Sequence, residues 1–194
     1  MVAHGLITGM LFFLAGSVKH RYHTLEIKRL LGMLLQAPRL GWILGFSAMA
    51  SLGLPGLAGF WGEFPAILSA YNPNFGLSEV LFRTLMVIAA VGTVLAAAYL
   101  LWLYQRTAFG EPSEEFGGHG GTPTHALSAG VNTGAEDDGA DHHDDIHDVT
   151  PIEWIAWTPF LIAIVVFGVY PQLMFRVMDP AVTELVARLG ETLG

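Results

Sequence analysis

Glu63 is the side chain whose position in the chain promises the most chemistry. No other charge occurs between Arg39 and Glu79, and the residues around it are apolar. An acid inside such a segment is costly to bury and is a functional candidate by default, usually as a proton or ion carrier. It ends the stretch Gly53-Leu54-Pro55-Gly56-Leu57-Ala58-Gly59-Phe60-Trp61-Gly62-Glu63. Pro55 removes a helix donor, and Gly53, Gly56, Gly59 and Gly62 tolerate backbone that is not helical. As one helix, Gly41 to Tyr71 would reach about 46 Å, beyond a hydrocarbon core of about 30 Å. The stretch therefore predicts a broken helix over 41–71. An unwound turn at membrane depth survives only where protein covers it or where it lines a hydrated cavity. The competing reading is a proline-kinked helix in which Glu63 makes a structural hydrogen bond.

Two histidine features add to this acid. His4 stands one helical turn before Thr8, and an imidazole that titrates near neutrality suits a relay, although packing competes as its role. Asp137 to Asp148 is rich in His and Asp, a composition that can chelate divalent metal. It brings no supporting framework, so no metal site is assigned. The chain has no cysteine, which excludes disulfides, thiolate metal sites and Fe–S ligation within it. It also lacks a phosphate loop with its lysine, a Ser/His/Asp set and an HExxH motif. The net charge of −8 comes mainly from the run between Glu111 and Glu153, which has no Lys or Arg, so nucleic-acid binding gains no support.

The elements that must position these groups are membrane helices. At 53% hydrophobic and 13% charged, the 194 residues read as an all-α, polytopic membrane helix bundle with about four spanning segments, one of them broken. The spans are Met1 to Val18, the broken segment, Thr84 to Gln105 and Trp154 to Phe175. The first lacks the basic flank and cleavage site of a signal peptide. Lys19, Arg21, Lys28, Arg29 and Arg39 make the 19–39 loop cytoplasmic by the positive-inside rule. Leu25, Ile27, Leu30, Leu31, Leu34 and Leu35 predict a short interfacial helix there, ending before Pro38. Gly5 and Gly9 offer close helix approach. The domains are then 1–110, helices with the broken element; 111–150, a disordered acidic His/Asp-rich loop; and 151–194, a final span and a short amphipathic tail from Val182 to Leu193.

His4-Gly5-Leu6 with Leu11-Phe12, then Arg21, His23-Thr24, Gly53-Leu54-Pro55-Gly56 and Gly59-Phe60-Trp61-Gly62-Glu63-Phe64 closely resemble the C-terminal part of the antiporter-like subunit M of bacterial NADH:quinone oxidoreductase, respiratory complex I. The resemblance implies inverted repeats, each with a broken helix contributing to a proton half-channel. In that pattern Glu63 matches the acid of the second broken helix, His4 a relay histidine, and His23 the histidine of a loop motif. Leu25 stands where that motif usually has a basic residue, which weakens the assignment of His23. The Lys and Glu groups of the family's earlier helices have no counterpart here. The resemblance further implies proton translocation coupled to electron transfer from NADH to quinone. It places NADH, FMN, the Fe–S clusters and quinone on other subunits, with no redox centre in this chain. Its partners are other membrane subunits of complex I and the bilayer, in a bacterial plasma membrane. A subunit of a multisubunit cation/proton antiporter is the nearest alternative; a divalent-metal transporter or a purely structural subunit are more distant ones.

Overall fold

The computed structural model describes residues 1–73, 76–113, 116 and 146–193, with side chains through Glu191. Every regular element among them is helical: α1 Val2–Tyr22, α2 Met33–Gln36, α3 Pro38–Ser51, α4 Ala58–Ser69, α5 Glu79–Ala108, α6 Pro151–Val169 and α7 Gln172–Leu193. Three of these, α1, α5 and α6, are long and apolar enough to cross a membrane. At 14 and 12 residues, α3 and α4 are each too short, reaching about 21 and 18 Å. They are the two halves of the expected broken helix, and the unwound turn between them is Leu52 to Leu57.

Helix α1 organises the bundle. Ala3, Ile7, Met10, Leu14 and Val18 recur three or four residues apart, so they fall on one face, and all are buried. That face packs against α3, α6 and α4. Met10 and Leu14 meet a core that includes Leu40, Ile43, Trp157 and Ile164. Lipid tails are as apolar as leucine, so fit rather than hydrophobicity holds such helices together. Gly9 supplies fit, since a Cβ there would rest 3.4 Å from the Phe160 ring of α6, whereas Gly5 faces open space. Gly45 of α3 receives the Tyr104 ring of α5, which would lie 2.6 Å from a Cβ at that position. Helix α5 otherwise shows no buried residue before Leu100, and its exposed apolar face is suited to lipid or to further helices.

The structure moves several expected boundaries. Helix α5 extends to Glu79–Ala108 because Ser78 caps its start, Glu79 pairs with Arg83 one turn on, and polar ends are tolerated at an interface. The last span starts earlier and ends at Val169, before Pro171. It is followed by a 22-residue amphipathic helix, α7, rather than a short tail. Between α1 and α3 the expected interfacial helix is replaced by turns and the single turn α2. Gly32 takes φ 76°, and its amide donates to the Phe109 carbonyl, so this segment folds onto the exit from α5 instead of continuing a helix. Ser113 Oγ donating to Arg29 O and Gln36 Nε2 donating to Phe116 O complete that seam. Most of the acidic loop, including Asp137 to Asp145, lies outside the described residues.

Candidate functional site

The unwound turn is a consequence of its sequence. Helix α3 ends at Ser51, Gly53 and Gly56 adopt φ 67° and 93°, and α4 starts after Leu57. Both glycines occupy the left-handed region that other residues enter at a cost of about 1–2 kcal/mol. Gly59 and Gly62 lie inside α4 instead of in the turn. Gly59 serves close approach, since a Cβ there would overlap the Ala50 carbonyl oxygen. Helix α6 covers the turn from another side. Gly168 lies so close that a Cβ would overlap Gly56 O and Leu57 Cα, and Trp61 Nε1 donates to the Gly168 carbonyl at 2.7 Å. That carbonyl belongs to the last turn of α6, where carbonyls lack partners within the helix, so Trp61 satisfies an orphan acceptor.

Glu63 projects from the second turn of α4 back toward the break. Its Oε2 would lie 2.9 Å from a Cβ at Gly53, so the absence of a side chain at residue 53 lets the carboxylate approach the turn. The carboxylate borders a cavity of about 220 Å³ together with His4 from the first turn of α1 and Ser51 from the last residue of α3. Ala50, Gly59 and Gly62 form part of its wall. Three helices thus each contribute one polar side chain to one space beside the break. His4 touches Thr8 Oγ1 through both ring nitrogens, at 3.4 and 3.5 Å, a loose contact that favours neither tautomer. The Glu63 carboxylate has no hydrogen bond or ion pair among the described residues.

His23 is elsewhere. It is the exposed C-cap of α1, in the left-handed region at φ 50°, about 28 Å of helix away from His4. The structure brings His4 and Glu63 together and leaves His23 outside their cavity.

At that other end of α1 stands a second polar cluster, which sequence reasoning missed. The guanidinium of Arg21 grips Glu153 with two nitrogens, at 2.5 and 2.9 Å, and also donates to the backbone oxygens of Ser17, His147 and Asp148. Ser17 Oγ and the Thr150 amide and hydroxyl donate to the same Glu153 carboxylate. Asp148 accepts from the amides of Arg39 and Leu40, the uncapped start of α3. Thr150 and Glu153 form a capping box at the start of α6. The pattern Thr-x-x-Glu ahead of an apolar run, with Pro151 at the first helical position, is the sequence signal that announces this helix start. Among the described residues no group of three or more His, Asp or Glu side chains is arranged to hold a metal ion.

A broken helix covered by a neighbouring glycine, with an acid and a histidine bordering one cavity, is a specific arrangement, and the chain that carries it is similar to known proteins. Residues 1–96 match the family model described as NADH:quinone oxidoreductase/Mrp antiporter, TM. NADH-quinone oxidoreductase subunit M of Rhodobacter capsulatus is 33% identical over 194 residues, which is 100% of this chain and 31% of the relative. NAD(P)H-quinone oxidoreductase chain 4 2 of Synechococcus sp. (strain JA-2-3B'a(2-13)) is 31% identical over 198 residues, covering 100% of this chain and 32% of that protein. NADH-ubiquinone oxidoreductase chain 4 of Marchantia polymorpha is 28% identical over 186 residues, 96% of this chain and 31% of its own length. The chain thus spans about a third of the length of these relatives. The break, its acid and its histidine all fall inside residues 1–96, the part of the chain that is similar to the NADH:quinone oxidoreductase/Mrp antiporter transmembrane family.

Proposed function

We propose that this chain supplies part of the proton route of a membrane subunit of NADH:quinone oxidoreductase, with Glu63 as its proton-carrying group and His4 as the adjoining relay. The observation that carries the reading is the shared cavity of about 220 Å³ at the Leu52–Leu57 break, which His4 and Glu63 enter from different helices. A carboxylate without a fixed partner, next to an imidazole and a break that admits water, can accept and release a proton as its surroundings change. With the basic 19–39 loop on the cytoplasmic side, the cavity lies toward the opposite face of a bacterial plasma membrane, near the outlet of such a route. His23 serves the opposite end of α1, away from this cavity. The chain holds no redox group in this reading; NADH, FMN, Fe–S clusters and quinone belong to other subunits, and its partners are the complex's other membrane subunits.

The test is Glu63→Gln in the assembled complex, read as NADH-driven acidification of inverted membrane vesicles. Gln keeps the shape and one acceptor but cannot exchange a proton. Loss of a positioned acid–base group slows its transfer step about 10²-fold or more, so proton uptake and coupled turnover both collapse while the complex still assembles. Full pumping by the Gln variant would reduce Glu63 to a structural residue. Retention of NADH oxidation with loss only of cation/proton exchange would favour the antiporter branch of the family.

A further inference from the structure

Most hydroxyl groups in these helices have a regular habit, and Ser51 is among those that depart from it. Ser47, Ser69, Thr84, Thr93, Thr107 and Thr158 each donate to a carbonyl three or four residues earlier in their own helix. That is the usual way a hydroxyl is satisfied inside a membrane helix. Ser51 has the same option at the end of α3, yet its hydroxyl makes no hydrogen bond among the described residues. Ser51 also lines the cavity that His4 and Glu63 border. Among the other residues on that wall, Ala3, Ile7, Ala50, Gly59 and Gly62 offer no polar side-chain atom, and Met1 offers only a weakly accepting thioether.

We propose that the Ser51 hydroxyl relays the proton between His4 and Glu63. A hydroxyl carries one donor and two acceptor positions, so it can receive a proton on one side while giving its own on the other. In the forward step a protonated His4 ring loses an N–H proton, a new O–H bond forms at Ser51 Oγ, and the original O–H proton passes to the Glu63 carboxylate. The ring ends neutral, the carboxyl ends protonated, and the hydroxyl is unchanged apart from its orientation. Water in the remaining volume completes the path where two groups do not touch. Placing the hydroxyl on α3, at the edge of the break, makes the path depend on the register between α1, α3 and α4. Closing or shifting the turn would interrupt transfer without moving either titrating group out of the cavity.

This inference rests on the proton-carrying role of Glu63, and its test separates the two. Ser51→Ala, Ser51→Gly, Ser51→Thr and Glu63→Gln are compared in the assembled complex by NADH-driven proton uptake in ordinary and in heavy water. The Ala and Gly variants both delete the hydroxyl, so the result does not depend on either one folding. Each is expected to slow uptake about tenfold, less than the loss of a whole acid–base group because water partly substitutes. The ratio of rates in ordinary and heavy water is expected to rise, because proton transfer then limits turnover. Thr restores the hydroxyl and is expected to return uptake to near the native rate. An inactive Glu63→Gln beside hydroxyl-free variants of native rate and native isotope ratio would overturn the relay and leave the Glu63 reading in place. An active Glu63→Gln would overturn both.

Discussion

Glu153 and Glu63 stand near helix ends at opposite poles of α1, each in a mostly apolar bundle, and their surroundings differ in every respect that matters to a carboxylate. Glu153 accepts from Arg21 twice, from Ser17, and from the amide and hydroxyl of Thr150. Its partner Arg21 is nearly covered, with side-chain exposures of 8% and 21% for the pair, so little water competes. Glu63 accepts from nothing among the described residues, borders an open cavity, and leans on a backbone turn held in shape by glycines. The first carboxylate is a fixed charge that ties α1 to the start of α6. No hydrogen bond or ion pair among the described residues depends on the charge of the second. One fold thus keeps a bonded carboxylate and an unbonded one about a helix length apart.

The comparison breaks most severely if the Arg21 end is disturbed. Replacing Arg21 with Met leaves a partly buried Glu153 without its cation, at a cost of about 3 kcal/mol. The double variant Arg21→Met with Glu153→Met removes both charges and is expected to recover most of that loss, since paired burial is nearly neutral against well-packed apolar side chains. Denaturant unfolding in detergent, read by helical circular dichroism, measures the cycle. Per assembled complex, proton uptake is expected to persist in the double variant. A stable double variant with no proton uptake would mean that Arg21 and Glu153 belong to the route and that the division between the two ends is wrong.

A smaller effect is expected at the cover of the break. Trp61→Phe keeps an aromatic ring near Phe60 and Phe175 but removes the donor to Gly168 O, a bond whose net contribution is about 1 kcal/mol. Because that carbonyl ends α6, its loss is expected to loosen α6 against the turn more than to unfold the chain. Hydrogen exchange should then quicken at residues 52–59 while α1 amides stay protected. Equal quickening along α1 would show that the cover supports the whole bundle.

What could be read in the sequence followed from residues that act locally. Pro55 with Gly53 and Gly56 dictated the break because they restrict or free the backbone where they stand, and Glu63 was conspicuous because a lone acid in an apolar run is expensive. The Arg21–Glu153 tie was invisible because it joins residues 132 apart in sequence, and Glu153 counted among the acids of the neighbouring loop. The helix expected over Leu25 to Leu35 had suitable spacing, yet contacts with Phe109 and the chain near Pro112 outweighed that propensity by taking Gly32 into the left-handed region. Nothing about Ser51 distinguishes it in sequence from Ser47; only their placement in α3 separates a hydroxyl satisfied by its own helix from one facing the cavity.

The smallest expected effect belongs to the acidic loop, and its boundary sharpens the comparison. Residues 117–145 are rich in Gly, Ala, Asp and His, whereas Asp148 caps the start of α3 and the backbone oxygens of His147 and Asp148 receive Arg21. Deleting 117–145 and joining the ends through a short Gly/Ser linker is expected to leave proton uptake and stability near native. Extending the deletion through Asp148 removes the acceptor for two amides of α3 and two acceptors for Arg21, with an expected cost of about 2 kcal/mol from the lost cap and charge-assisted bonds. Asp148→Asn in the full chain separates charge from geometry: one amide oxygen can still accept from Leu40, so roughly half of that cost is expected. Unfolding midpoints of the three variants order the contributions. If the shorter deletion abolished pumping in a stably assembled complex, the loop itself would take part in transport, and the acids of its His/Asp tract would become the next residues to replace.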